Sequence, residues 1–210
     1  MFTTQQIENN KIEFISLVKS ISREGAHIDA LIDMLCNSDF FTAPASKAYH
    51  NSIEGGLCAH SLNVYNNLNK LISNFEDITF DEDTIKIVAL FHDISKINTY
   101  KKGVRNEKIY SENGSKYDSL GRYDWVTKET YVSRDDAFIY GSHECTSEYI
   151  LRQYIPLTLE ESISIIHHMG SMSWDSAKDN IGEVYNRYTL ALLLYMADMM
   201  ATYVTENNKK

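Results

Sequence analysis

Apolar residues recur at helical spacing over most of the chain. Phe14, Ile15, Leu17 and Val18 form a stripe within residues 5–22, and Ile28, Leu31, Ile32 and Leu35 form one within residues 26–36, so both stretches are predicted as amphipathic helices. From Asn37 to Gly56 the pattern lapses, with Pro44 and Gly55-Gly56 as breakers, and a connecting segment is expected. Leu57, Ser61, Val64, Leu68 and Leu71 then predict a helix from Gly56 to Ile72, with His60 bordering the stripe. Asp83 or Thr84 is expected to cap the next helix, whose apolar positions Ile85, Val88, Ala89 and Phe91 run into His92-Asp93. Helical texture returns from His143 to Gln153 and from Leu159 to Met169, ending near Gly170. A last long helix is predicted from about Tyr185 to Thr205, followed by a polar, frayed ENNKK tail.

Between Ile97 and Tyr140 the texture changes. Tyrosines and a tryptophan alternate with polar residues, Asn113-Gly114 and Leu120-Gly121 are turn signals, and Trp125-Val126-Thr127 and Thr130-Tyr131-Val132 favour strands. The expected architecture is therefore an all-α bundle with a small β-hairpin insertion around residues 98–140. The whole of residues 1–210 reads as one domain: N-terminal helices over 5–36, the insertion, and a core of about 53–203.

Composition sharpens this picture. A 43% apolar fraction suffices for a core, and only two prolines favours helices. No run of about 18 or more apolar residues occurs, so no membrane span is expected. The start MFTTQQIENNKIEF lacks a basic stretch followed by an apolar one, so a signal peptide is not expected and the protein is read as cytoplasmic. Cys36, Cys58 and Cys145 form no CxxC pair and are expected to be free, buried thiols. The net charge of −9 argues against a protein that coats nucleic-acid backbone. It leaves room for a compact anionic substrate, because a bound metal supplies the positive charge that the composition lacks.

The candidate chemistry lies in imidazoles and carboxylates. Asp198 sits among Leu192, Leu193, Leu194, Tyr195, Met196, Met199 and Met200, on a helix apolar on nearly every side. An ionised carboxylate there must be ion-paired, metal-bound or at an accessible edge. His92-Asp93 closes an apolar helix. Neighbours on a helix diverge by about 100°, so both reach one ion only at a helix edge, or one of them bridges two ions. His143 opens a helix-like segment, and neither member of His167-His168 is distinguished by the local period. Nitrogen and carboxylate ligands suit Fe, Mn, Zn, Co or Ni.

Gly55-Gly56-Leu57-Cys58-Ala59-His60-Ser61, the helix end Leu-Phe-His92-Asp93-Ile-Ser-Lys96, and the late Ala-Asp198 occur in the order that resembles the HD superfamily of metal-dependent phosphohydrolases. The resemblance implies a first metal held by His60, His92, Asp93 and Asp198. In its binuclear branch, Asp93 would bridge to a second ion taken by His143 and by His168 or His167, with His168 favoured by its place before Met169-Gly170. Lys96 matches the lysine that faces substrate. No Gly-Tyr-Pro signature follows the histidine pair, no oligonucleotide-binding-type domain is visible, and the hairpin exceeds a minimal core of that family.

The resemblance implies two divalent transition-metal ions that present a bridging hydroxide to phosphorus, with Lys96 adding positive charge to the transition state. His50 and the spare histidine of the pair are candidates for substrate contact or leaving-group protonation, and Lys101, Lys102 and Arg105 for gripping a distal phosphate. Tyr100, Tyr110, Tyr123 and Trp125 are candidates for base stacking. The expected substrate is a nucleotide or small phosphodiester, cyclic or a short oligonucleotide. A nucleotide phosphomonoesterase or phosphoanhydride hydrolase, a di-iron oxygenase of the same superfamily, and a non-catalytic nucleotide-binding module are the alternatives. A homodimer is compatible with the chain, although no coiled-coil stripe calls for one.

Overall fold

A computed structural model describes residues 1–48, 50–110, 123–172 and 180–206. Among these, the chain forms α1 (Thr4–Lys19), α2 (Ile28–Asn37), α3 (Gly56–Ile72), α4 (Glu82–Phe91), β1 (Tyr100–Tyr110), β2 (Tyr123–Ser133), α5 (His143–Arg152), α6 (Leu159–Ile166), α7 (Ile181–Arg187) and α8 (Thr189–Met200). The fold is thus mostly helical, and the two-stranded antiparallel sheet makes "all-α" an approximation. The hairpin runs from the pair Tyr100–Ser133 to the pair Tyr110–Tyr123. Both segments that favoured strands lie within β2; the turn signals Asn113-Gly114 and Leu120-Gly121 lie outside the described residues.

One apolar core draws on helices from both ends of the chain. Phe14 of α1 meets Phe40 with ring centroids 4.8 Å apart and Phe91 of α4 edge-on at 5.6 Å. Leu31 and Leu35 of α2, Leu57 and Leu68 of α3, Ile165 of α6, and Leu190 and Leu194 of α8 are fully buried around them. Burial of an aromatic of this size contributes about 2–3 kcal/mol, so the N-terminal helices are structural members of the core that carries α4. Central α3 packs against α4 and α8, and α6 packs against α8 and α5.

Several helix ends differ from the sequence expectation. The cap of α4 is Asp81, whose carboxylate accepts from the Asp83 amide at 2.8 Å. Asp83 instead accepts from the Ser22 amide, and the Thr84 hydroxyl donates to Glu161; both are engaged in tertiary contacts. The long last helix is interrupted at Tyr188, which leaves helical geometry between α7 and α8, although no proline or glycine marks the place. Of the three free thiols only Cys58 is buried; Cys145 is half-buried and Cys36, one position beyond inward-facing Leu35, is exposed. Among the described residues, no helix is long and apolar enough to cross a membrane.

The paired glycines shape the approach to α3. Gly55 has a φ of 78°, in the left-handed region that favours glycine. A Cβ on Gly56 would lie 2.0 Å from the Asn51 carbonyl oxygen. Only glycine lets the preceding loop close on the start of α3, and that loop carries His50.

Candidate metal centre

His60 projects from the second turn of α3 and Asp198 from α8, the helix packed against it. His60 Nε2 lies 3.1 Å from Asp198 Oδ1 and 3.7 Å from Asp93 Oδ2. His92 caps the C-terminus of α4. Asp93 then takes φ −111° and ψ 17°, and a 3₁₀ turn, Ile94–Lys96, follows. The divergence expected of helix neighbours is removed by this change of backbone: His92 Nε2 sits 3.3 Å from His60 Nε2 and 3.4 Å from Asp93 Oδ2. The same device serves the second histidine pair. Helix α6 ends at Ile166, His167 leaves helical geometry, and His168 Nε2 comes within 3.6 Å of Asp93 Oδ1. His143, at the first turn of α5, brings its Nε2 to 3.7 Å from the same oxygen.

Ring nitrogens on the far side each face an oxygen. His92 Nδ1 donates to the Ala89 carbonyl at 2.9 Å and His168 Nδ1 to the Ile165 carbonyl at 2.7 Å. His60 Nδ1 faces Glu206 Oε1 at 3.0 Å and His143 Nδ1 faces Glu144 Oε2 at 3.2 Å. A carbonyl can only accept, so His92 and His168 each carry a proton on Nδ1, which leaves Nε2 as the ligand atom of the neutral ring. This is the arrangement by which proteins orient metal-binding imidazoles.

Burial and charge select the ionised carboxylates. Burial disfavours the charge on Asp93, but Lys96 Nζ, 2.5 Å from Oδ2, together with His92 holds its carboxyl well below the usual range. Asp198 is likewise lowered against its burial, chiefly by its bond to His60. His60, clamped between Glu206 and Asp198, is raised to about 10 despite its burial. His92 is pushed down by burial.

Asp93 Oδ1 and His168 Nε2 are buried and have no hydrogen-bond partner. A buried carboxylate oxygen and a buried imidazole nitrogen without partners carry a heavy desolvation penalty. Two overlapping groups, His60–His92–Asp93 and Asp93–His143–His168, each place one ligand atom per residue within 4.8 Å of the others, with Asp93 common to both. Asp198 joins His92 and His168 in a further such group. The donor set of imidazoles and carboxylates, and the unpartnered atoms aimed at one another, fit divalent transition metals.

The cluster opens into a cavity of about 960 Å³, lined by Asp93, Lys96, His143 and Asp198 together with apolar Phe138, Ile139, Met169 and Met199. His50 lines it too, its ring tilted 38° against that of His60 with centroids 4.7 Å apart, and burial lowers its pKa to about 4. His167 donates from Nδ1 to the Ile163 carbonyl and is absent from the groups around Asp93, so it is His168 that the helix end turns inward. Lys101 and Arg105 do not line the cavity. Both are exposed on β1, where Lys101 lies 3.6 Å from Asp135 and Arg105 stands opposite Lys128. The hairpin carries them away from the core. Of the aromatic candidates only Tyr100, at its base, reaches the cavity, whereas Lys108 lies over the rings of Tyr123 and Trp125.

Glu144 and Glu206 were not anticipated. Glu144 follows His143 directly in a Gly-Ser-His-Glu segment, which is a usable local signal. Glu206 lies in the segment read as a frayed tail, yet it is only 8% exposed.

A family model described as HD domain matches residues 57–199, well over half of the chain. No curated protein and no solved structure matches it. The matched span contains His60, His92, Asp93, His143, His168 and Asp198; His50 and Glu206 fall outside it.

Proposed function

We propose, because the chain belongs to the HD-domain family of metal-dependent phosphohydrolases, that it is a phosphodiesterase acting on nucleotides or small cyclic or short oligonucleotides. The observation that carries the metal centre is the pair of buried, unpartnered atoms Asp93 Oδ1 and His168 Nε2, 3.6 Å apart. His60, His92, Asp93 and Asp198 would hold one divalent ion, and His143 and His168 a second, with Asp93 shared. Such ions, when bound, neutralise phosphoryl charge and lower the pKa of water.

The remaining chemistry belongs to the chain. Lys96 keeps a full positive charge beside Asp93 and borders the cavity, where it offers an ammonium to a phosphoryl oxygen. His50, neutral at pH 7, is suited to hydrogen-bonding the substrate rather than to pairing with it as a cation. Phe138, Ile139, Met169 and Met199 give the cavity an apolar wall beside its charged floor. A wall of this kind suits a substrate with a flat apolar part next to its phosphate, and the volume is that of a small-molecule site. This favours a nucleotide-like substrate over inorganic or sugar phosphates.

The test is hydrolysis of bis(p-nitrophenyl) phosphate by Mn- or Fe-loaded protein, beside p-nitrophenyl phosphate. Faster turnover of the diester supports the proposal. Turnover of the monoester alone would replace it with a phosphomonoesterase.

A further inference from the structure

Helix α8 ends in an unusual way. Residues Ala201–Thr205 form a π-helical turn closed by the Glu206 amide donating to the Ala201 carbonyl, five residues back, at 2.9 Å. In a regular helix, eight residues of about 100° each would leave Glu206 about 80° away from the face of Asp198. The wider turn takes back part of that rotation, and π-turns recur where a helix must re-aim a side chain at a functional site. Here Asp198 and Glu206 both reach His60, one at each ring nitrogen, at 3.1 and 3.0 Å.

We propose that Glu206 is a positioning residue: its carboxylate accepts the His60 Nδ1 proton, fixes the ring, and so presents Nε2 for metal binding. This rests on the metal centre of the preceding section. Glu206 is itself held, since Asn63 Nδ2, one helical turn from His60 on α3, donates to the same Oε1 at 2.9 Å. An anchored acceptor restricts the ring; a mobile one would not. The anchor lies outside the matched span, which ends at residue 199, before the π-turn. The other histidines meet their far-side oxygens locally, His143 facing the adjacent Glu144. His92 and His168 are oriented by carbonyls of their own helices. His60, in the second turn of α3, has its Nδ1 fixed by a carboxylate from a distant part of the sequence.

The test is Co(II) binding, followed by the visible absorption of the ion and by competition with a chelator, on wild type, Glu206→Ala and Glu206→Gln. The alanine variant is expected to bind about 10–100-fold more weakly, with a changed Co(II) spectrum. The glutamine variant keeps an acceptor of the same length and is expected to recover most of the affinity, which a purely structural loss would not predict. Wild-type affinity and an unchanged spectrum in Glu206→Ala overturn the proposal while leaving the metal centre standing. Absence of Co(II) binding by the wild type overturns both.

Discussion

Two buried ionic clusters in this molecule look alike in burial and differ in how completely their hydrogen bonds are made. Glu161 of α6 is fully buried and accepts from Arg23 Nη2 at 2.6 Å, Arg23 Nη1 at 3.0 Å, Thr84 at 2.7 Å and the Thr158 amide at 2.7 Å. Both oxygens are used. Asp93 is equally buried, and its Oδ2 is crowded by Lys96, but its Oδ1 has only His143 and His168 at 3.7 and 3.6 Å and no hydrogen bond. A buried charge whose valences are filled by the protein is a structural tie. At Asp93 the unfilled oxygen faces two imidazole nitrogens, one of them also unpartnered, and that pair of open atoms marks a place for something else to bind.

The sharpest break of that comparison is Asp93→Ala. Turnover is expected to fall to background, because the shared ligand is lost from both groups, while far-ultraviolet circular dichroism stays that of the wild type. Wild-type turnover by this variant would remove Asp93 from its bridging place. The second largest effect is metal removal. A ligand that binds only the folded state stabilises it by about 4 kcal/mol at a free concentration about a thousandfold above Kd. Chelation is therefore expected to lower the Tm of wild type by several degrees and to leave Asp93→Ala unchanged. A wild-type Tm indifferent to metal would mean that the unpartnered atoms are not the site of binding.

At the other cluster the expectations invert. Glu161→Ala leaves the Arg23 guanidinium without its carboxylate and removes the capping box of α6. Breaking a buried pair by deleting one partner costs about 3–5 kcal/mol, and the 20% exposure of Arg23 puts this case at the lower end. Denaturant unfolding should show that loss, with metal affinity per folded molecule retained. A variant that lost its metal without losing stability would reverse the roles assigned to the two clusters.

The contrast also separates what was legible in the sequence from what was not. Features set by local period and local chemistry were readable. Helix α3 begins at Gly56 and ends at Ile72, as its apolar spacing predicts. The match to the HD family confirms the resemblance carried by the Gly-Gly-Leu-x-x-His-Ser, His-Asp and Ala-Asp segments. Features set by distant contacts were not. Asp83 and Thr84 look like caps until Ser22 and Glu161 claim them. Glu206 sits in a polar stretch whose local composition signals fraying, and only its 3.0 Å approach to His60, 146 residues earlier, gives it meaning. His167 and His168 are equivalent in the period of α6, and the place where the helix stops turns one of them inward. The completeness of a buried carboxylate's hydrogen bonding, which separates Glu161 from Asp93, is likewise a property of the folded chain.

The smallest effect expected is also the most specific to the satisfied cluster. Burial opposes the charge on Glu161, but the hydrogen bonds from Arg23, the Thr158 amide and Thr84 outweigh it, so its pKa in the folded protein is lowered from the ordinary 4.5. A group with a lowered folded pKa binds protons more readily in the unfolded state, so its contribution to stability is present above about pH 4.5 and is lost as the pH falls through the folded value. The stability difference between wild type and Glu161→Gln, measured by urea unfolding in the presence of chelator, should therefore be constant from pH 7 down to about pH 5 and shrink below it. Chelation matters because the metal centre would add its own proton linkage over the same range. A difference that stayed flat through acid pH would mean that the Glu161 charge contributes nothing beyond its hydrogen bonds, and the comparison between the two clusters would then rest on geometry alone.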